Sequence, residues 1–158
     1  MFSTVSRTFV SKSAFSLRAA GAVSVRFFHM SAVKERKAGV ASPEELKAFV
    51  TQAGDKLLVV DVRNPDASIE PGDKKSLDVA PLPSPPDIRP NGVHLIYDRG
   101  TKSMLLPDVA KDTPIITHCG GGGRGQKAKE FLMENGFTNV MNGGGPKETD
   151  CWAEFGEK

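Results

Sequence analysis

An open, mainly parallel α/β sheet flanked by helices is the fold class predicted for residues 42–158, and three observations predict it. Leu57–Val60 is a continuous apolar run of the kind found in parallel strands buried on both faces. Further β-type runs follow at 93–97, 115–118 and 139–141. Segments with helical periodicity alternate with these runs, and such alternation implies right-handed crossovers between parallel strands.

The elements follow in order. Ser42-Pro43-Glu44-Glu45 places a serine at the N-cap, a proline at N1 and a glutamate at N3, a capping box that opens a helix with Leu46, Phe49 and Val50 on its apolar face. Gly54 and Asp55 break it before the first strand, which ends at Asp61. Residues 64–92 form a long polar excursion rich in proline (Pro71, Pro81, Pro83, Pro85, Pro86, Pro90); a stretch of this length is a binding rim or a disordered segment. Val93–Tyr97 reads as a short strand, Lys102–Ala110 as a weak helix or turn, Ile115–His118 as the central strand and Asn139–Met141 as the next. Between the last two, a helix runs from Arg124 to a C-cap at Gly136, with Ala128, Phe131 and Leu132 on one face. Gly143–Pro146 is a turn expected to pass close to the loop before this helix, and Cys151 and Trp152 follow on a short terminal helix.

Chemistry concentrates where the central strand stops at Cys119 and the helix starts after Arg124. The first-turn amides of a helix lack intrahelical acceptors and carry the positive end of its dipole, so they stabilise a thiolate placed there. Gly120, Gly121, Gly122 and Gly123, with Gly125 beyond the arginine, let the backbone curl as an anion-binding nest. Arg124 adds a planar cationic fork suited to an oxyanion. A buried, inert cysteine followed by a flexible connector is the bland alternative. In a parallel sheet the ligand crevice lies beyond the carboxyl ends of the strands, so Asp61, Arg63 and Cys119 are expected to converge, with Asp61 and Arg63 as a supporting ion pair. His118 reads as a strand-end residue satisfied by hydrogen bonds, a direct role being its alternative.

Cysteine, four residues, arginine and a helix resemble the active-site loop of the rhodanese family of single-domain sulfurtransferases. Leu57–Arg63 is similar to that family's apolar strand ending in Asp-Val-Arg, Glu134–Val140 to its Gly-Phe-x-x-Val segment, and Gly143-Gly-Gly followed by Trp152 to its closing motif. The resemblance implies a rhodanese-like domain over 42–158 and sulfur transfer through a Cys119 persulfide, with Gly120–Gly125 as the substrate-binding loop. Related phosphatases place five residues between cysteine and arginine, so the shorter loop favours sulfur over phosphate. Gly120 stands where the family commonly has a cation, Gly125 where it has Ser or Thr, and the segment after Arg63 departs from the family's usual pattern.

The first acidic residue is Glu35, and Arg7, Lys12, Arg18, Arg26 and Lys34 precede it among Ser, Ala, Val and Phe. That composition predicts a transit peptide at 1–35, followed by a short linker at 36–41. Arg26–Ser31 resembles a two-step mitochondrial processing pattern, so the matrix is the expected compartment and a plastid the alternative. Setting those five cations aside takes the formal charge from +2 to −3, which removes the main support for nucleic-acid binding. No run approaches the roughly 18 apolar residues that a membrane span needs. Two cysteines without a Cys/His cluster predict neither a disulfide framework nor a metal site. Cys151 beside Trp152 reads as buried, with a resolving role as the alternative.

The sequence therefore predicts a thiosulfate or persulfide sulfurtransferase without cofactor, acting on a small sulfur donor and a thiol or cyanide acceptor. Its rivals are a non-catalytic module that binds a protein partner at the 64–92 rim, and a Cys-dependent phosphatase or arsenate reductase.

Overall fold

The computed structural model describes residues 36–82, 84, 91–146 and 155. The transit peptide expected at 1–35 and the expected terminal helix carrying Cys151 and Trp152 lie outside the described residues. Helix α1 spans Pro43–Ala53, and the capping box expected of Ser42 and Glu45 is formed in both directions, Glu45 N–H to Ser42 Oγ at 3.1 Å and Ser42 N–H to Glu45 Oε2 at 2.7 Å. A single 3-10 turn, Gly54–Lys56, then delivers the chain into strand β1, Leu58–Asp61.

Strands β2 (Gly92–His94), β3 (Ile115–His118) and β4 (Val140–Gly144) complete a four-stranded, all-parallel sheet of order β2-β1-β3-β4. All four residues of β1 and of β3 are buried, which is why these runs lack the polar alternation of a half-exposed strand. Leu58, Val60, Ile115, Ala128, Leu132 and Phe137 form one apolar cluster, and Leu46, Leu57, Val59, Ile116 and Phe155 the other. Fully burying a side chain such as Ile115 or Ile116 contributes about 1.5–3 kcal/mol, so these clusters hold the two central strands in place.

Helix α3, Gly123–Glu134, starts one residue before Arg124 and ends in a Schellman closure, with Gly136 N–H to Met133 O at 3.0 Å and Phe137 N–H to Leu132 O at 3.1 Å. The 64–92 excursion contains a helix not expected there, α2, Pro71–Val79. The strand expected at 93–97 is Gly92–His94. Of the helix or turn expected at 102–110, a turn closed by an Asp98–Ser103 bridge occupies the start. The last strand runs on to Gly144, with a register shift after Thr117 that pairs His118 with Gly144. No helix among the described residues is long and apolar enough to cross a membrane.

Candidate active site

The parallel register sets Asp61 opposite His118 on one side and His94 on the other, so the carboxyl ends of three strands converge on one edge. Asp61 accepts from Arg63, Nη2 to Oδ2 at 2.6 Å and Nε to both carboxylate oxygens at 3.0 Å, and His118 Nε2 lies 4.0 Å from Oδ2. Burial works against the Asp61 charge, yet His118 and the Arg63 guanidinium outweigh it and hold this carboxyl below its ordinary range. Arg63 also donates through Nη1 to the carbonyls of Ser76, at 3.2 Å, and Ala80, at 2.6 Å. Its guanidinium thus links the end of β1 to the C-terminal end of α2, where a cation complements the helix dipole.

Cys119 follows β3 directly and is buried. Its amide donates to Gly144 O at 2.9 Å, and its Sγ accepts from Gly122 N–H at 3.2 Å. Gly122 makes that contact with φ +89° in the left-handed region, at the N-cap of α3, where a side chain would also meet Val40. Close to the sulfur, the backbone thus supplies one N–H aimed at the charge that a thiolate carries.

Asn142 clamps this loop. It is fully buried on β4, donating from Nδ2 to Gly122 O at 3.0 Å and accepting Gly144 N–H at Oδ1, also at 3.0 Å. A Cβ on Gly125 would lie 2.6 Å from Asn142 Oδ1, so the amide occupies the space that a larger residue after Arg124 would need. Thr117 Oγ1 donates to Gly125 O at 2.8 Å, tying the strand to the first turn of α3.

Arg124 is buried, and its Nη2 donates to Asp73 Oδ1 of α2. Burial opposes its charge, and the Asp73 hydrogen bond and carboxylate, assisted by Cys119 and Glu70, more than offset this, holding the guanidinium above its ordinary value. Nε and Nη1 of Arg124 have no hydrogen-bond partner among the described residues. Asp73 is itself fully buried and accepts Asn64 N–H at 2.7 Å through its other oxygen.

The structure therefore gathers Asp61, Arg63, His118, Cys119, Gly120–Gly123, Arg124 and Gly125 along one edge of the sheet. Sequence reasoning omitted Asp73, Ser76 and Asn142. For Asp73 a signal existed: Pro71 at N1 with an acidic residue two positions on is a helix-start pattern. Asn142, in an Asn-Gly-Gly stretch, carried only a turn signal.

A parallel α/β domain with a cysteine on a glycine loop between strand and helix, backed by a strand-end Asp-x-Arg pair, defines the class of protein. The family profile described as rhodanese-like domain matches residues 42–145, more than half of the chain, and the chain belongs to that family. Among solved structures it is similar to an uncharacterized protein from Saccharomyces cerevisiae, at 20% identity and a TM-score of 0.43, covering 74% of this chain and 92% of that one. It is similar also to the polysulfide-sulfur transferase homodimer of Wolinella succinogenes, at 22% identity and a TM-score of 0.42, covering 75% of this chain and 74% of the other. No curated protein matches it.

Proposed function

We propose that this chain is a sulfurtransferase that moves a sulfane sulfur from thiosulfate or a persulfide to a thiol or cyanide through a persulfide on Cys119, and that it acts in the mitochondrial matrix. The observation that carries the chemistry is the Gly122 N–H held on Cys119 Sγ at 3.2 Å at the start of α3, next to the Arg124 cation. An amide aimed at the sulfur and a guanidinium in the same loop are donors placed for a sulfur nucleophile and its anionic leaving group. The thiolate attacks the outer sulfur of the donor, the donor's S–S bond breaks, and its electron pair leaves with sulfite or a thiolate. An acceptor then takes the outer sulfur and restores Cys119. The compartment rests on the acid-free, Arg-spaced segment before Glu35.

The burial of Cys119 under a loop whose cation is already paired favours one second reading, a non-catalytic domain that binds a protein partner at the 64–92 rim. The four-residue spacing from Cys119 to Arg124 weighs against a phosphatase or arsenate reductase. Intact mass after incubation with thiosulfate, mercaptopyruvate and glutathione persulfide separates these readings. A gain of one sulfur, lost with cyanide and absent in Cys119→Ser, is expected; a protein that gains nothing from any donor is the binding domain. Imaging of the tagged full-length chain tests the compartment, and a cytosolic signal would overturn that part.

A further inference from the structure

Arg124 supplies the cation of the catalytic loop, and the same chain supplies a carboxylate to neutralise it. Asp73 reaches that guanidinium from the first turn of α2, and both side chains are buried, at 1% and 4% exposure. Asp73 is not a loosely placed surface acid. Asn64 N–H holds its second oxygen at 2.7 Å, Ser76 Oγ donates to its carbonyl at 2.8 Å, and Arg63 ties the far end of α2 to Asp61. The helix approaches the loop so closely that a Cβ on Gly120 would lie 2.8 Å from Ser76 Oγ and 3.6 Å from Asp73 Oδ1. A side chain at position 120, and with it a second cation, would have to displace Ser76 of α2.

On the sulfurtransferase reading given above, we propose that Asp73 is the specificity-determining residue of the site, selecting sulfane donors with at most one charge at the reacting end, such as persulfides and thiosulfonates, over dianionic thiosulfate. A dianion entering beside a lone buried guanidinium would meet a net attraction. Beside an Arg–Asp pair whose charges cancel, it meets no net cation to offset the Cys119 thiolate, and a carboxylate fixed near the loop, where like charges repel strongly because little water screens them. A persulfide avoids that repulsion. The Cys119 thiolate bonds to the outer sulfur of R–S–SH, the S–S bond breaks, the electron pair leaves with R–S⁻, and the proton stays on the transferred sulfur. No external oxidant or reductant is required. The unpartnered Nε and Nη1 of Arg124 remain as donors to a single anionic group.

The test is the rate of persulfide formation on Cys119, followed by intact mass, with thiosulfate and with benzenethiosulfonate, a monoanion with the same kind of S–S bond. Wild-type protein is expected to load from benzenethiosulfonate about tenfold faster or more, an ordering that needs no variant. Asp73→Asn keeps the shape and an acceptor for Arg124 while removing the charge. It is expected to raise the ratio of the thiosulfate rate to the benzenethiosulfonate rate about tenfold, and Asp73→Glu should keep the wild-type ratio. A wild type that prefers thiosulfate, or an Asp73→Asn protein in which both rates move together, would overturn the assignment of Asp73 and leave sulfur transfer standing. Failure of every donor to load Cys119 in wild type would instead sink sulfur transfer, and this assignment with it.

Discussion

Arg63 and Ala80 meet at 2.6 Å, guanidinium Nη1 to carbonyl oxygen, and through that contact the end of the first strand holds the helix that packs on the Cys119 loop. The same guanidinium neutralises Asp61, so one side chain fixes two elements relative to each other. Arg63→Ala leaves Asp61 buried beside β3 without this partner, and breaking a buried pair in this way costs about 3–5 kcal/mol. Urea unfolding is expected to show a loss in that range. Arg63→Lys, which keeps charge without the planar fork, should recover only part of it. A loss below about 1 kcal/mol in the alanine variant would refute the role of this link.

Acid sensitivity follows from Asp61. Its carboxyl lies below the ordinary value in the folded protein, so the unfolded chain binds the proton more readily. The stabilisation is therefore complete above the ordinary carboxylate range, at about pH 5 and higher. It fades as the pH falls through about 4 towards the lower folded value, and is gone below it. Asp61→Asn should lie below wild type in stability at neutral pH, and the gap should close as the solution is acidified. Parallel stability curves across that range would contradict this account.

Asn142→Leu keeps the branched heavy-atom arrangement, with bulkier methyl ends, but strips the clamp from Gly122 O and Gly144 N–H. Each buried group left unsatisfied costs about 1–3 kcal/mol, and the loss should appear both in unfolding and in slower sulfur loading of Cys119, because Gly122 is the residue that faces the sulfur. Unchanged loading in a destabilised variant would confine Asn142 to a structural role.

Gly145→Ala tests the crossing of chain beneath the nucleophile. A Cβ there would fall 1.7 Å from the carbonyl oxygen of Cys119, a backbone atom that cannot rotate away. Overpacking costs about 1–3 kcal/mol where side chains can yield, so the loss here is expected at or above the top of that range. Sulfur loading should fall with it. Thermal unfolding and intact mass of the same preparation check both.

The fold was legible where local chemistry and burial agree. Ser42, Pro43 and Glu45 state a helix start in three residues, and Leu57–Val60 can be buried on both faces only within a sheet. Cys119 and Arg124 were legible because reactive and charged residues flank a glycine run where a strand gives way to a helix. Helix α2 was not, because the residues that it buries are Asp73 and Ser76, and apolar periodicity says nothing about a helix whose inner face is polar. Asn142 escaped for a related reason. Its partners are backbone groups of residues 122 and 144, and the one 20 residues away is brought to it by the pairing of β4 with β3.

The segment expected to be a mere linker, 36–41, touches the glycine loop after Cys119. Val40 packs where any Gly122 side chain would go, and Ala41 N–H bonds to Asn142 O at 3.0 Å. A proteolytic cut within this segment would therefore have unequal consequences on the two sides of Val40. A cut near Arg36 would leave the brace intact, whereas one that removed Val40 and Ala41 would free the turn that carries the sulfur's hydrogen-bond donor. The position of any new N-terminus would then bear on the geometry of the loop around Cys119, and trimming to different points would yield differing loops from a single translated sequence.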